Sequence, residues 1–161
     1  MSELPYLAAT ELRQHYLSGA LSPVEVATAL LERIDKLNPA LNAYVTVTAA
    51  PALEQARAAE ARYAADAARP LDGIPFSLKD LTPTRGIRTT RGSLLYENWI
   101  PDYDAPLAER LYAQGGVLLG KTNTTEFGWK GDSGNRVCGP THNPWRHGRT
   151  SGGSSGGAAA A

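Results

Sequence analysis

Apolar residues recur at helical spacing in the first quarter of the chain, at Val26, Leu30, Ile34 and Leu37. The segment before them has the composition of a helix start. Ser22 can cap the helix, Pro23 suits its first position, and Glu25 completes a capping box. We expect this helix to end at Asn38-Pro39, because proline cannot donate a backbone hydrogen bond inside a helix.

Three short segments have the pattern of β-strands. Residues 43–48 are rich in β-branched side chains, residues 74–78 are mostly apolar, and residues 116–120 form an apolar run bracketed by glycine. The last of these has the character of a buried strand.

Further helices are predicted between and after these strands. Residues 51–68 are rich in Ala, Glu and Arg with few large apolar side chains, so we expect a helix at the surface. Residues 104–114 form a second helix, with Pro106 in its first turn. Residues 131–157 show no periodicity and predict a long, functional loop. The alternation of helices and strands indicates an α/β fold.

Composition narrows the class of protein. The 161 residues are 42% hydrophobic, and 16 basic side chains balance 16 acidic ones. This neutral balance does not favour nucleic acid or an anionic membrane as a partner. No apolar segment approaches the length needed to span a bilayer, and the N-terminus lacks the pattern of a signal peptide. The single cysteine, Cys138, suits a reducing compartment, so we expect a cytoplasmic protein.

Lys79 is the first residue with candidate chemistry. It follows the apolar segment 74–78, where a lysine can be partly buried. Burial favours the neutral amine and lowers the lysine pKa, as a general base requires. An ordinary solvent-exposed lysine at a strand end is the alternative, and the residue alone does not decide between them.

The second candidate is the serine pair Ser154 and Ser155, inside the Gly/Ser run 151–157 that leads into four alanines. This order predicts a tight loop entering a helix. A serine held among glycines can be exposed and activated by a nearby base, whereas the same composition also occurs in flexible linkers. No Gly-Lys-Ser/Thr sequence follows the glycines, which excludes a Walker A loop.

Other residue types are weaker candidates. The histidines His15, His142 and His147 have no neighbouring cysteine or carboxylate at ligand spacing, so we expect no metal site. The aromatic side chains could line an apolar pocket, but we expect each to lie in the core. These are Phe127, Trp129 and Trp145.

Three segments together resemble the amidase signature family. Residues 70–80 (PLDGIPFSLKD) resemble its lysine strand, residues 120–128 (GKTNTTEFG) its connector, and residues 143–157 the opening of its Gly/Ser-rich signature. Residues 89–93 (TTRGS) also fit. The resemblance implies the N-terminal part of a mixed β-sheet covered by helices. It implies one partial, truncated domain over 1–161, with a helical region to about residue 70 and the lysine strand and signature start over about 71–161.

The resemblance also implies a Ser-cisSer-Lys triad. Lys79 would be the base, and Ser154, preceded by a cis peptide bond, would be the bridging serine. Gly128 and Ser154 would contact the substrate. The nucleophile of the family lies in a Gly-Thr-Asp-x-Gly-Gly-Ser type segment, which would come after Ala161. No metal or cofactor is implied, and we expect these 161 residues to be an inactive fragment when alone.

Three functions remain open at this point. The first is an amidase that hydrolyses small linear amides through an acyl-enzyme, either as a monomer or as a homodimer. The second is the glutaminase subunit of a tRNA-dependent amidotransferase, which works with partner subunits. Residues 126–131 resemble general amidases more closely. The third is an inactive, non-enzymatic remnant.

Overall fold

The computed structural model describes residues 4–161, which contain five α-helices and five β-strands. The helices are α1 (Ala9–Ser18), α2 (Pro23–Leu41), α3 (Ala49–Ala64), α4 (Pro106–Ala113) and α5 (Gly156–Ala160). The strands are β1 (Tyr44–Val47), β2 (Pro75–Lys79), β3 (Val117–Thr122), β4 (His142–Asn143) and β5 (Arg146–Thr150). This mixture confirms the α/β class. None of the described helices is long and apolar enough to cross a membrane.

The chain divides into two compact units, each assembled from three stretches. Among the described residues, the first consists of 4–33, Thr48–Phe76 and Glu109–Leu119. The second consists of Ile34–Val47, Ser77–Ala108 and Gly120–Ala161.

A three-stranded sheet has the order β1-β3-β2. Strand β1 is antiparallel to β3, with Tyr44 opposite Thr122 and Val47 opposite Gly120. Every residue of β3 is buried, as the glycine-bracketed apolar run predicts. The strand continues two residues past Gly120, so it carries Lys121 and Thr122 into the interior.

The start of α2 confirms the predicted capping box, but the predicted end is wrong. The Ser22 N–H donates to the Glu25 carboxylate at 2.8 Å, and the Glu25 N–H donates to Ser22 Oγ at 3.1 Å. The helix continues through Pro39 to Leu41. A proline in the last turn removes only one hydrogen bond, and the Asn42 N–H still donates to the Asn38 carbonyl at 2.7 Å.

Helix α3 is shorter than predicted, and the expectation that it lies at the surface is wrong for one face. Ala52, Ala56 and Ala59 are fully buried at helical spacing. Their small side chains allow neighbouring elements to approach closely, so a helix without large apolar residues still contributes to the core.

A buried carboxylate organises the first unit. Arg62 donates to Asp72 through Nε at 2.8 Å and Nη2 at 2.5 Å, and the Arg69 backbone N–H donates to it at 2.7 Å. Burial acts to raise the pKa of Asp72, but the hydrogen bonds from Arg62 and Arg69 outweigh it and lower the pKa to about 2. The apolar core of this unit centres on Leu12, Tyr16 and Val26.

The predicted loop over residues 131–157 contains a β-hairpin, which corrects the sequence interpretation. Strands β4 and β5 pair antiparallel, and the Trp145 N–H donates to Asn143 Oδ1 at 2.9 Å in the turn between them. An asparagine side chain that accepts a hydrogen bond two residues on stabilises such a turn. The end of the Gly/Ser run does enter a helix, α5, as predicted.

The expectation of buried aromatic side chains is wrong in the described chain. Trp145 is 95% exposed, Trp129 74% and Phe127 48%. Phe127 nevertheless packs edge-on against Tyr96, with 6.1 Å between the ring centroids.

Candidate active site

Strand β2 and the Gly/Ser run bring Lys79 and Ser154 together in the second unit. The Lys79 Nζ atom lies 2.6 Å from Ser154 Oγ, within hydrogen-bond distance. Lys79 is the last residue of β2, and Ser154 precedes α5 by two residues. The peptide bond between Gly153 and Ser154 is cis. Ser155 is exposed, so the structure places only the first serine of the pair against the lysine.

The surroundings of Lys79 favour its neutral form. Loss of hydration on burial lowers the pKa of the Lys79 amine below its ordinary value. A nearby carboxylate would oppose this shift, but among residues 4–161 none lies within ion-pair distance of Lys79. A lysine that shares a hydrogen bond with a hydroxyl and lacks a counter-ion can accept a proton from that hydroxyl.

The glycines around Ser154 allow close contacts between backbones. A Cβ atom added at Gly157 would lie 2.6 Å from the Ala43 carbonyl oxygen and 2.7 Å from the Asn123 carbonyl oxygen. The Gly157 N–H donates to that same Asn123 carbonyl at 3.2 Å. At Gly153, a Cβ atom would overlap the backbone of Asp132. The Gly/Ser run is therefore packed against the backbones of other segments at Gly153 and Gly157. Only glycine fits in the space available at these two positions.

Gly128 borders the Ser154 hydroxyl. A Cβ atom at this position would lie 3.7 Å from Ser154 Oγ and 2.7 Å from Leu81 Cδ1. The Gly128 backbone has φ of 72°, a conformation that glycine adopts without strain. Any larger residue would narrow the space beside Ser154.

A network of amide side chains supports this region. Asn123 Nδ2 donates to Thr141 Oγ1 at 3.0 Å and to the Gly139 carbonyl at 3.1 Å, and Asn135 donates to Asn123 Oδ1 at 2.7 Å. Cys138 also donates to Asn123 Oδ1 at 3.1 Å, and burial raises the pKa of its thiol. Cys138 is therefore held as a neutral donor in a structural network.

His142 and His147 contact each other. The rings of His142 and His147 stack with 4.1 Å between centroids, and His147 Nε2 lies 3.1 Å from the Ala40 carbonyl oxygen. Over residues 4–161, no three His, Cys, Asp or Glu side chains are grouped so that they could hold a metal ion.

Two buried charged residues near Lys79 were missed by sequence reasoning. Asp80 directly follows Lys79 and is fully buried, and Lys121 lies fully buried on β3. Burial lowers the pKa of Lys121 to about 8, against the opposing attraction of Asp80 and Asp104. The sequence does contain one signal for Lys121: this lysine directly follows the apolar run 116–120, and a buried strand that continues past the run would bury it.

The fold and these segments define a family. The chain belongs to the Amidase family, whose model matches residues 25–161. This confirms the resemblance identified from the sequence. The sequence is 45% identical, over the whole chain, to a Glutamyl-tRNA(Gln) amidotransferase subunit from Roseiflexus castenholzii, of which it covers 33%.

Solved structures give the same fold. The native peptide amidase from Stenotrophomonas maltophilia matches 98% of this chain with a TM-score of 0.90 and 32% identity, over 34% of its own length. A bacterial aryl acylamidase of the amidase signature family matches 96% of this chain with a TM-score of 0.89 and 31% identity, over 32% of its length. The chain thus spans about a third of the length of the relatives that it matches.

Proposed function

We propose that this chain supplies the base and the bridging serine of an amide hydrolase. In this proposal Lys79 is the general base, Ser154 relays the proton, and a serine beyond residue 161 is the nucleophile. The observation that carries the proposal is the 2.6 Å contact between Lys79 Nζ and Ser154 Oγ, made by a lysine whose pKa burial lowers. Membership of the Amidase family supports it.

The proposed reaction moves one proton along this pair. The nucleophilic serine gives its proton to Ser154 Oγ while the Ser154 proton passes to Lys79 Nζ. The nucleophile oxygen bonds to the amide carbonyl carbon, and the C–N bond then breaks. The leaving amine takes the proton back along the same relay. Water then gives a proton to the relay, its oxygen bonds to the acyl carbon, and the ester bond to the nucleophilic serine breaks. The serine oxygen takes the proton back, and the carboxylic acid is released. We assign these steps no metal or cofactor.

Gly128 is the proposed substrate contact of this chain, together with Ser154. A Cβ atom at Gly128 would lie 3.7 Å from Ser154 Oγ, so a substrate amide that reaches a nucleophile hydrogen-bonded to Ser154 would pass close to Gly128. We infer a linear small-molecule amide as the substrate, which is consistent with the peptide amidase and aryl acylamidase among the structural relatives.

The second candidate is a glutaminase subunit of a tRNA-dependent amidotransferase. It is favoured by the 45% identity to the Roseiflexus amidotransferase protein, which exceeds the 32% identity to the peptide amidase. Both candidates use the same Lys79 and Ser154 chemistry. They differ in the substrate, glutamine instead of a general amide, and in the need for partner subunits.

One set of assays separates these functions. The complete gene product would be tested on an aryl amide and on glutamine, with and without candidate partner subunits. Hydrolysis of the aryl amide by the isolated protein supports the amidase, and glutamine hydrolysis that requires partners supports the glutaminase. If neither reaction occurs, or if Lys79→Met leaves either rate unchanged, the proposed chemistry is wrong, and the inactive remnant becomes the better description.

A further inference from the structure

The loop that begins after Lys79 is closed by its own backbone at Asp80. The Arg91 N–H donates to the Asp80 carbonyl at 2.9 Å, and the Asp80 N–H donates to the Thr122 carbonyl on β3 at 2.9 Å. The Thr82 N–H donates to the Lys79 carbonyl at 2.9 Å, which makes a turn directly after the lysine. Contacts that hold residues 80–91 in place therefore also hold the backbone of Lys79.

The Asp80 side chain holds the returning end of this loop. Its Oδ2 atom accepts hydrogen bonds from Thr90 Oγ1 at 2.5 Å and from the Thr90 N–H at 3.0 Å. Thr90 Oγ1 also accepts from the Gly92 N–H at 3.1 Å. The Oδ1 atom of Asp80 is buried without a hydrogen-bond partner in the described chain. A buried carboxylate with one oxygen that lacks a hydrogen bond lowers the stability of the fold. Stability alone therefore does not explain the presence of an aspartate at position 80.

Lys121 holds both limbs of the same loop from β3. Its Nζ atom donates to the Thr82 carbonyl at 2.6 Å and to Thr89 Oγ1 at 2.7 Å. Its side chain is fully buried, and its positive charge attracts the carboxylate of Asp80. Burial raises the pKa of Asp80, and the charge of Lys121 opposes this shift. A buried carboxyl group and a buried amine thus contact the outgoing and the returning part of one loop.

We propose that Asp80 and Lys121 are positioning residues that act through this loop on Lys79. Asp80 accepts hydrogen bonds from Thr90, and Lys121 donates hydrogen bonds to Thr82 and Thr89. The loop fixed by these bonds keeps Lys79 Nζ within hydrogen-bond distance of Ser154. Neither residue touches the substrate. The inference rests on the proposed function, because it assigns a role in aligning the base of that reaction.

The test compares Thr90→Val with Thr90→Ser in the complete gene product. Valine keeps the shape of threonine but removes the hydroxyl that binds Asp80, whereas serine keeps the hydroxyl. We expect Thr90→Val to lower kcat by about 10- to 100-fold, because a small misplacement of a catalytic group has effects of that order. KM should change less than about threefold, and Thr90→Ser should restore kcat to within about threefold of wild type.

The pH profile gives a readout that a purely structural role would not move. When the loop is loosened, water reaches Lys79 and raises the pKa of its amine, so the acid limb of kcat/KM shifts to higher pH in Thr90→Val. Both variants keep Asp80 and Lys121 and the charged side chains that act on them, which are Arg88 for Asp80 and Asp104 for Lys121.

Several results would overturn the inference. One is a folded Thr90→Val enzyme with wild-type kcat and pH profile; another is a Thr90→Ser enzyme as impaired as Thr90→Val. If Thr90→Val does not fold, Thr89→Val against Thr89→Ser tests the Lys121 contact with the same criteria. If instead wild type and Lys79→Met hydrolyse amides equally, the proposed function itself has failed, and the inference fails with it.

Discussion

The amine of Lys79 and the hydroxyl of Ser154 lie 2.6 Å apart although 75 positions separate them in the chain. The lysine ends a strand and the serine lies in a tightly packed glycine run, so both sides of the contact are held by structure. If this pair carries the proton in amide hydrolysis, removing either member should abolish most of the chemistry.

We therefore expect Lys79→Met and Ser154→Ala, each made in the complete gene product, to lower kcat/KM for the amide substrate by about 10²- to 10⁴-fold, the usual range for loss of general acid–base catalysis. Steady-state kinetics on the folded variants would measure this. Lys36→Met, which removes an exposed lysine from α2, is the matched control and should keep the wild-type rate. A Lys79→Met enzyme with more than a tenth of wild-type activity would contradict the assignment.

The rate should depend on pH through Lys79. The amine must be neutral to accept a proton, so kcat/KM should fall as the pH drops through the pKa of Lys79. Because burial lowers that pKa, the midpoint of the acid limb should lie below the ordinary lysine value of about 10.4. A pH–rate profile, with circular dichroism to confirm folding throughout, measures the midpoint. A rate that rises towards low pH would argue against a lysine base.

Asp72 predicts a separate effect on stability. Its pKa is about 2 in the folded protein against an ordinary 3.8, so its ionised form stabilises the fold above pH 4. This stabilisation should be lost as the pH falls from about 4 to about 2. The shift corresponds to about 2 kcal/mol, and screening around the partly exposed Arg62 and Arg69 reduces it towards about 1 kcal/mol.

Asp72→Asn should therefore lower the free energy of unfolding by about 1–2 kcal/mol at pH 7 and by much less at pH 2. Denaturant titrations of the complete gene product at the two pH values would test this. Asp35→Asn, at an exposed position of α2, serves as the control. Equal losses for Asp72→Asn at both pH values would show that the carboxylate charge does not matter.

Gly157→Ala tests the packing of the signature run. Alanine favours a helix by about 1 kcal/mol over glycine, yet the added Cβ would lie 2.6 Å from the Ala43 carbonyl oxygen. We expect the clash to win, with a loss of about 1–3 kcal/mol of stability and a displaced Ser154 that lowers kcat. Gly131→Ala, where no atom lies within 4 Å of the new Cβ, should leave melting temperature and kcat unchanged. A stabilised, fully active Gly157→Ala enzyme would refute the packing argument.

The sequence predicts correctly those elements whose structure depends on residues adjacent in the chain. The capping box at Ser22 and Glu25 and the buried strand before Gly120 depend on neighbouring residues and were predicted correctly. Lys79 and Ser154 are predicted as a pair because their surrounding motifs resemble those of a known family. Their contact across 75 positions has no local signal.

The missed features depend on tertiary contacts. The buried face of Ala52, Ala56 and Ala59 is indistinguishable by composition from a surface helix. Helix α2 continues past Pro39 because the proline removes only one hydrogen-bond donor, and the Asn42 N–H still donates to the Asn38 carbonyl. The hydrogen bonds of Asp80 and Lys121 with the loop after Lys79 require that both residues be buried. Sequence patterns predict such burial poorly, because charged residues are usually exposed.

The long separation between Lys79 and Ser154 also orders events in time during synthesis. At about 5–20 residues per second, the ribosome adds the 75 residues from Asp80 to Ser154 in about 4–15 s. Throughout that interval the nascent polypeptide contains Lys79 but no bridging hydroxyl for it, and β2 gains its sheet neighbour β3 only when residues 117–122 have been added. The proposed proton relay therefore cannot operate co-translationally until the signature run has emerged and closed this long loop.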